Sequence, residues 1–422
     1  MDSCSQPGLL PVNHAIARML EAISPVTEIE SVTLAAALDR VLAEPIYSNI
    51  NVPGHDNSAM DGYAFCYADT TTNSLLHLVG HALAGHPFKG NIKAGECVRI
   101  MTGAVVPAGT DTVVMQENVS AIGNDIQINQ LPKLGDNIRR AGEDIAINSL
   151  VFEQGKRISP IDIGLLASLG VAELKVFKRI KVAVFSTGDE LKPLTQTLQA
   201  GANLQVGEVY DSNRPTLIAL LSRLAVNVID LGCIADDPDK ISAAFESAIA
   251  QADVVISSGG VSVGDADFTK PVLEKLGQIN FWKIAMKPGK PFAFGVLYKK
   301  NAPDNKGWFF GLPGNPVSSV VTYHQLVVPA LRYLAGELFE DVPMLSIATQ
   351  SPLKKQPGRA DYQRGTLITE NGENKVTTAG NQSSGVLSSL AQANCYLVLE
   401  QERGAVAAGE KVNVILFDKF LQ

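Results

Sequence analysis

The sequence predicts a multidomain α/β protein: a central doubly wound α/β domain, a β-rich domain inserted near the N-terminus, a helical linker domain, and a small C-terminal β-barrel. Three observations carry that prediction. Apolar strand-like runs alternate with helical patterns from residue 180 to about 330. Between Ile46 and Ile145 glycine and proline are frequent and the apolar runs are short. After Val342 short strands return for ~80 residues, enough for a barrel or sandwich.

The elements follow in order. Pro11 to Ile23 places Ile16, Met19, Leu20 and Ile23 on one face, the spacing of an amphipathic helix. A second short helix is predicted over Leu34 to Leu42, ending before Pro45. Short strands are expected at Leu75 to Val79, Cys97 to Met101, Thr112 to Met115 and Ile126 to Ile128. At Ser159-Pro160-Ile161-Asp162 a helix starts: Ser159 can cap it, Pro160 suits its first position, and Gly170 can close it. Ile161, Leu165 and Leu169 share its predicted face. The α/β segment reads as strands at Ile180 to Phe185, Val226 to Leu231, Asp253 to Ile256 and Trp308 to Gly311. Its helices are Pro215 to Leu224, Pro238 to Ala252, Thr269 to Leu276 and Val317 to Leu334. Asn371-Gly372 marks a hairpin turn, and Lys411 to Leu416 a final strand. The expected domains are 1–45 plus 146–178 (helical linker), 46–145 (inserted β-rich), 179–335 (α/β) and 336–422 (barrel).

Composition bounds the function. Apolar content of 46% and charged content of 18% describe a soluble globular chain. A net charge of −8 argues against a general nucleic-acid surface, which needs a basic face. No apolar run approaches the ~18 residues that span a bilayer, so no membrane segment is expected. The cysteines at 4, 66, 97, 233 and 395 include no close pair, which fits buried thiols in a reducing compartment rather than a zinc or redox motif. Met1 to Gly8 has no signal-peptide pattern, and a cytoplasmic location is expected.

Five polar turns follow the apolar runs of the α/β segment: Ser186 to Glu190, Asp236-Asp237, Ser257 to Asp267, Lys283 to Lys290, and Gly311 to Pro316. Loops at the carboxyl ends of parallel strands gather along one edge, where ligands bind. Carboxylates, lysines and two glycine-rich loops in one crevice suit a phosphorylated substrate held through a divalent cation. Each feature has a plainer reading too. The glycine loop fits a tight strand-to-helix connection, and Gly311 to Pro316 a rigid turn with Asn315 as cap. Asp189 and Glu190, or Asp236 and Asp237, suit the start of the next element, and Lys283 and Lys287 a solvated pair. His77, His81 and His86 share no helical face and have no cysteine partner, so they read as ordinary surface or core histidines.

Several of these stretches resemble the molybdopterin molybdenumtransferases, the family of bacterial MoeA and the C-terminal domain of gephyrin. They are Ser186 to Leu191, Ser257 to Gly264, Lys287 to Pro291 and Gly311 to Pro316. Asp56 to Ala64, Arg99 to Ala104, Gly142 to Asp144, Pro357 to Arg359, Gln363 to Gly365 and Gly380 to Ser384 extend the resemblance along nearly the whole chain. It implies an elongated four-domain subunit whose α/β domain binds molybdopterin. It also implies a homodimer, each site lying between the α/β domain of one subunit and N-terminal loops of the other. The implied reaction takes adenylylated molybdopterin and molybdate with Mg²⁺, cleaves the adenylyl phosphoanhydride, inserts molybdenum into the dithiolene and releases AMP. Implied partners are the adenylyltransferase that makes the substrate and factors that mature molybdoenzymes.

Carried onto this sequence, the implied catalytic residues are Asp61, Asp144, Glu190, Asp267, Lys283 and Lys287, with Glu190, Asp236 and Asp267 for Mg²⁺. Lys283, Lys287 and Arg364 would hold molybdate or phosphate, with Thr102 and Ser384 as further polar contacts. Thr187, Gly188, Asp189, Asn213, Ser258, Gly259, Gly260, Ser262, Gly264, Pro313, Gly314 and Asn315 would cradle the pterin and its phosphate. One departure is a longer connection from Lys192 to Glu208, which reads as a surface insertion. Two other readings stay open: the adenylyltransferase itself, which is a much shorter protein, and a gephyrin-like scaffold.

Overall fold

The computed structural model describes residues 8–192, 204–260, 269–299, 302–338 and 342–417. The chain divides into two units, one of Ser31–Leu38 with Glu44–Leu174 and one of the remainder. The amphipathic helix at the N-terminus forms as α1 (Val12–Ala22), burying Ala15 and Met19. The helix predicted over Leu34 to Leu42 is corrected to a single 3-10 turn, Leu34–Ala36. Asp39 there has a φ of +61°, which no right-handed helix accommodates, and Leu42 bridges to Val176 as extended chain.

The smaller unit holds a six-stranded sheet of β1 (Gly62–Phe65), β2 (Leu75–Ala82), β3 (Glu96–Ile100), β4 (Thr112–Met115), β5 (Val119–Ile122) and β6 (Asp125–Ile128). The order is β4-β1-β3-β2-β6-β5, with only β2 and β3 parallel. Alternation sends Ala64, Val98, Ile100 and Val113 to one buried face, and Phe65, Cys97, Val114 and Ile126 to the other. Helix α2 (Pro160–Ser168) carries the expected cap: the Asp162 N–H donates to Ser159 Oγ, and the Ser159 N–H to Asp162 Oδ2. Of its predicted face Leu169 is buried, but Ile161 is 81% exposed and Leu166 takes a buried position instead.

In the larger unit, consecutive apolar residues bury both faces of a second sheet. Its strands are β7 (Ile180–Thr187), β8 (Val226–Ile234), β9 (Val254–Ser258), β10 (Gly277–Lys283), β11 (Pro291–Lys299) and β12 (Ala302–Leu312). Helices α3 (Asn213–Leu221), α4 (Pro238–Gln251) and α5 (Thr269–Leu276) connect them, and α6 (Pro316–Thr322) follows β12. Ile180, Val182 and Val184 share a core with α1, α3 and α6. Ala183 and Phe185 pack instead against α4 and α5, where Phe245 meets Phe185 and Phe309 edge-on at 5.0 and 5.4 Å. Opposite faces of one strand thus feed two helical layers, the mark of a doubly wound fold.

The order is β8-β7-β9-β12-β11-β10, with the first four parallel. The sequence marks β10 only as an unbounded apolar run before Lys283 and does not show β11; together they make the sheet mixed, since β11 runs antiparallel to both neighbours. Because β10 therefore points the same way as β12, Lys283 reaches the same edge as Thr187, Ser258 and Leu312. Beyond α6 the helix passes through a π turn (Tyr323–Val327) into Val328–Leu334.

The C-terminal strands are β13 (Leu345–Thr349), β14 (Ala360–Glu370), β15 (Glu373–Thr378), β16 (Cys395–Leu399) and β17 (Lys411–Leu416). They pair as β14-β15-β13-β17-β16, and β16 returns to β14, closing a five-stranded barrel. Asn371 and Gly372, with φ of +53° and +80°, make the hairpin turn between β14 and β15. Met286–Lys287 pairs in parallel with Ala360 and Asp361, tying the lysine loop to the barrel.

Candidate active site

The β7 turn comes first. A Cβ on Gly188 would sit 2.5 Å from Glu190 Oε2, so the Glu190 carboxylate lies folded over a backbone that only glycine leaves open. The Gly188 N–H donates to the Ile234 carbonyl at 3.3 Å, and the Asp236 N–H donates to Asp189 Oδ1 at 3.1 Å. Asp189 thereby fastens the β7 turn to the β8 turn, while Glu190 stays exposed beside it. Asp237 caps α4, accepting from the Asp239 and Lys240 N–H groups at 3.0 Å. Burial and the Asp211 carboxylate push the Cys233 thiol above its ordinary range; Arg214 opposes this, and Glu190 and Asp236 add to it. Both carboxylates therefore act on one small region at the end of β8.

Beneath this turn Asp211 is buried, accepting from Ser186 Oγ at 3.2 Å and Arg214 Nε at 3.0 Å. Arg214 also donates to Asp230 at 2.6 Å. This buried network sets the first turn of α3, and with it Asn213. The Asn213 Nδ2 group donates to Ser258 Oγ at 2.8 Å and to the Gly314 carbonyl at 2.7 Å, clipping the glycine loop to the turn after β12. Replacing Asn213 by alanine removes both bonds, and about 1–3 kcal/mol of stability should go with them, read as a lower denaturant midpoint.

Gly259 has a φ of +92°, and a Cβ on it would meet the Thr187 carbonyl at 2.8 Å. Its N–H donates to the Leu312 carbonyl at 3.1 Å. Around Gly314 the space is open, and Asn315 stands at the N-cap of α6 without a side-chain capping bond. The Val317 N–H donates to the Ser384 carbonyl at 3.1 Å, which brings the barrel loop onto the same turn. Ser262, Gly264, Asp265 and Asp267 lie outside the described residues.

The basic residues separate. Lys283 is exposed at the end of β10, four strand spacings from β7, which is about 19 Å at ~4.8 Å per strand. Lys287 reaches Asp361 Oδ2 at 3.3 Å. Acids and lysines thus share one sheet edge but stand toward its opposite ends. Arg364 is 1% exposed, on the face of β14 turned away from the barrel interior and opposite Tyr396. Its guanidinium donates to Ser389 Oγ at 3.2 Å and to the Asn381 and Ser383 carbonyls at 3.3 Å. Burial lowers its pKa, opposed by Asp361 and Tyr396.

In the smaller unit, Asp61 Oδ1 accepts from the Thr102 N–H at 2.7 Å and from its hydroxyl at 2.9 Å, and these bonds hold the Asp61 pKa low. Asp144 lines a cavity of about 510 Å³ with Glu143, Arg139, Ser58 and Gly103, the residue next to Thr102. These three sequence-predicted residues gather in one region of that unit. His77 Nδ1 lies 2.8 Å from Asp125 Oδ1 at its surface. Among the described residues no three His, Cys, Asp or Glu side chains converge as metal ligands, and no helix is long and apolar enough to cross a membrane. Sequence reasoning missed Asp211 and Asp361; both are buried carboxylates, and nothing in the local pattern marks an acid as buried.

Comparison with known proteins places these features. Residues 10–170 match the MoeA N-terminal region (domains I and II), residues 183–333 a probable molybdopterin binding domain, and residues 347–417 the MoeA C-terminal region (domain IV). The molybdopterin molybdenumtransferase of Haemophilus influenzae is 48% identical over 98% of this chain and the whole of its own length. That of a Nostoc species is 34% identical over 97% of this chain and 93% of its own. The crystal structure of a molybdopterin biosynthesis MoeA protein from Pyrococcus horikoshii, 27% identical, covers 97% of this chain and all of that one, with a TM-score of 0.80. With a curated relative this similar along its full length, and family models matching in order from one end to the other, the chain belongs to the molybdopterin molybdenumtransferase (MoeA) family.

Proposed function

We propose that this chain inserts molybdenum from molybdate into adenylylated molybdopterin, in a Mg²⁺-dependent reaction that cleaves the adenylyl phosphoanhydride and releases AMP. The observation that carries the reading is the hydrogen-bonded continuity of the site loops. The turns after β7 and β8, the glycine loop, the turn after β12 and the Ser384 loop are linked through Asp189, Asn213 and Val317. A ligand touching one end of this edge reaches the others only if it is elongated, as an adenylylated pterin is.

Within that frame Ser258, Gly260, Gly314 and Asn315 cradle the pterin and its phosphate, using the open space at Gly314. Lys283 and Lys287 act as point charges on phosphate and oxyanion oxygens. Arg364 is assigned a positioning role, holding the Asn381–Ser384 loop against α6. Glu190 and Asp236 are hard oxygen donors on adjoining turns, the donor type that Mg²⁺ takes together with phosphate oxygens and water, so this pair would hold the ion. When bound, Mg²⁺ offsets negative charge on the phosphoanhydride. Asp61, Thr102 and Asp144 are proposed to serve the reaction in a cytoplasmic homodimer.

The test is AMP release from adenylylated molybdopterin. Release should need both molybdate and Mg²⁺ and stop with a chelator. Rapid ATP-dependent adenylylation of molybdopterin without molybdate would overturn the reading in favour of an adenylyltransferase.

A further inference from the structure

A second cavity, about 300 Å³ in volume, opens beside Lys287 at the mouth of the barrel, lined by Lys287, Lys354, Lys355, Gln356, Arg359 and Asp361. Four cations face one carboxylate there. That carboxylate is buried and already committed, since Asp361 Oδ2 accepts from Lys287 Nζ at 3.3 Å and from Gln363 Nε2 at 3.2 Å. Lys355 is buried too, with its ammonium donating to the carbonyls of Gln356 at 2.8 Å, Arg403 at 3.1 Å and Gln401 at 3.4 Å. It is a fixed positive charge in the wall. Burial lowers its pKa; Asp361 counters, Lys287 and Arg359 add repulsion and Glu402 opposes them weakly, so Lys287 and Arg359 both stand within Coulombic range of Lys355.

The remaining two cations have no ion-pair partner among the described residues: the half-buried Arg359 guanidinium and the exposed Lys354 ammonium. Their backbone is not loose. Gln363 Nε2 donates to the Lys354 carbonyl at 2.9 Å, the Gly358 N–H to the Gln401 carbonyl at 2.8 Å, and the Ala360 N–H to the Ala285 carbonyl at 2.8 Å. A rigid wall with uncompensated positive charge at a small cavity suits a compact anion, and the planar guanidinium fork matches two oxygens of a tetrahedral one.

We propose that this pocket binds a tetrahedral oxyanion, with Arg359 and Lys354 as its principal ligands and Lys287 at its border with the sheet edge. Its relevance to turnover rests on the function proposed above, whereas binding itself does not. Two sources share the chemistry: the free metal oxyanion and the phosphate of a released nucleotide.

Equilibrium dialysis of the full chain against sodium molybdate, and separately against AMP, tests this. Arg359→Gln and Lys354→Gln should each weaken binding of one of these anions at least tenfold with little change in melting temperature. Arg359→Lys, which keeps the charge, should recover part of the affinity. Loss confined to molybdate identifies the free oxyanion as occupant, and loss confined to AMP identifies the nucleotide phosphate. If both neutral variants hold both anions as tightly as the unaltered chain, the pocket is not an anion site. That failure leaves the proposed function standing, which the turnover of Glu190→Gln decides separately.

Discussion

Glu190→Gln should lower the rate of AMP release by on the order of 10²–10³-fold, the usual consequence of losing one charge aligned with a reacting group. The substitution keeps the size of the side chain and removes only the charge. Glu190 is exposed, and the turn that carries it is fastened by Asp189 and by the Gly188 backbone. The melting temperature should therefore barely move. Raising Mg²⁺ should recover some of the lost rate, because Asp236 remains on the adjoining turn. A variant with an unaltered rate of AMP release would remove Glu190 from the mechanism, and an unfolded one would make it structural.

The largest effect on stability is expected at Arg364. Methionine fills much of the same volume but cannot donate, so Arg364→Met leaves the Asn381 and Ser383 carbonyls and Ser389 Oγ short of a donor beside the buried outer face of the barrel. Unmet buried acceptors cost about 1–3 kcal/mol each, and the barrel can relax around some of them, so a loss of about 2–4 kcal/mol is predicted from urea unfolding. Because the Ser384 carbonyl holds the Val317 N–H, the loosened loop should also raise the KM for the pterin substrate. A variant as stable as the unaltered chain, with weaker molybdate binding alone, would instead restore the direct contact expected from sequence.

The contrast between these two residues shows what the sequence could and could not disclose. Strands buried on both faces announce themselves as unbroken apolar runs, so β7, β9 and β12 were legible, as was the capping box of α2. The bounds of β10 were not, because it follows α5 with only Gly277 to mark the change, and β11 was hidden behind the lysine-rich turn that precedes it. Barrel closure depends on β14 meeting β16 across the intervening chain, a pairing that no local pattern encodes. At the site, residue types pointed to carboxylate and lysine chemistry, but not to where each charge faces. An arginine in a polar motif reads as exposed until its guanidinium is found among carbonyls, and a doubled acid such as Asp189-Glu190 hides a division between clamp and free carboxylate. Asn213 stood among the residues the resemblance implied, but its task of joining two loops far apart in sequence shows only in the fold.

The central claim is that one elongated ligand lies along the sheet edge from Glu190 toward Lys283. A crystal structure of the chain with adenylylated molybdopterin bound tests it most directly. The account predicts pterin or phosphate density against Ser258, Gly260 and Gly314, with the phosphoanhydride within one metal ion's reach of Glu190. Density for the ligand at any other face, with the Ser258–Gly314 cleft empty, would contradict it.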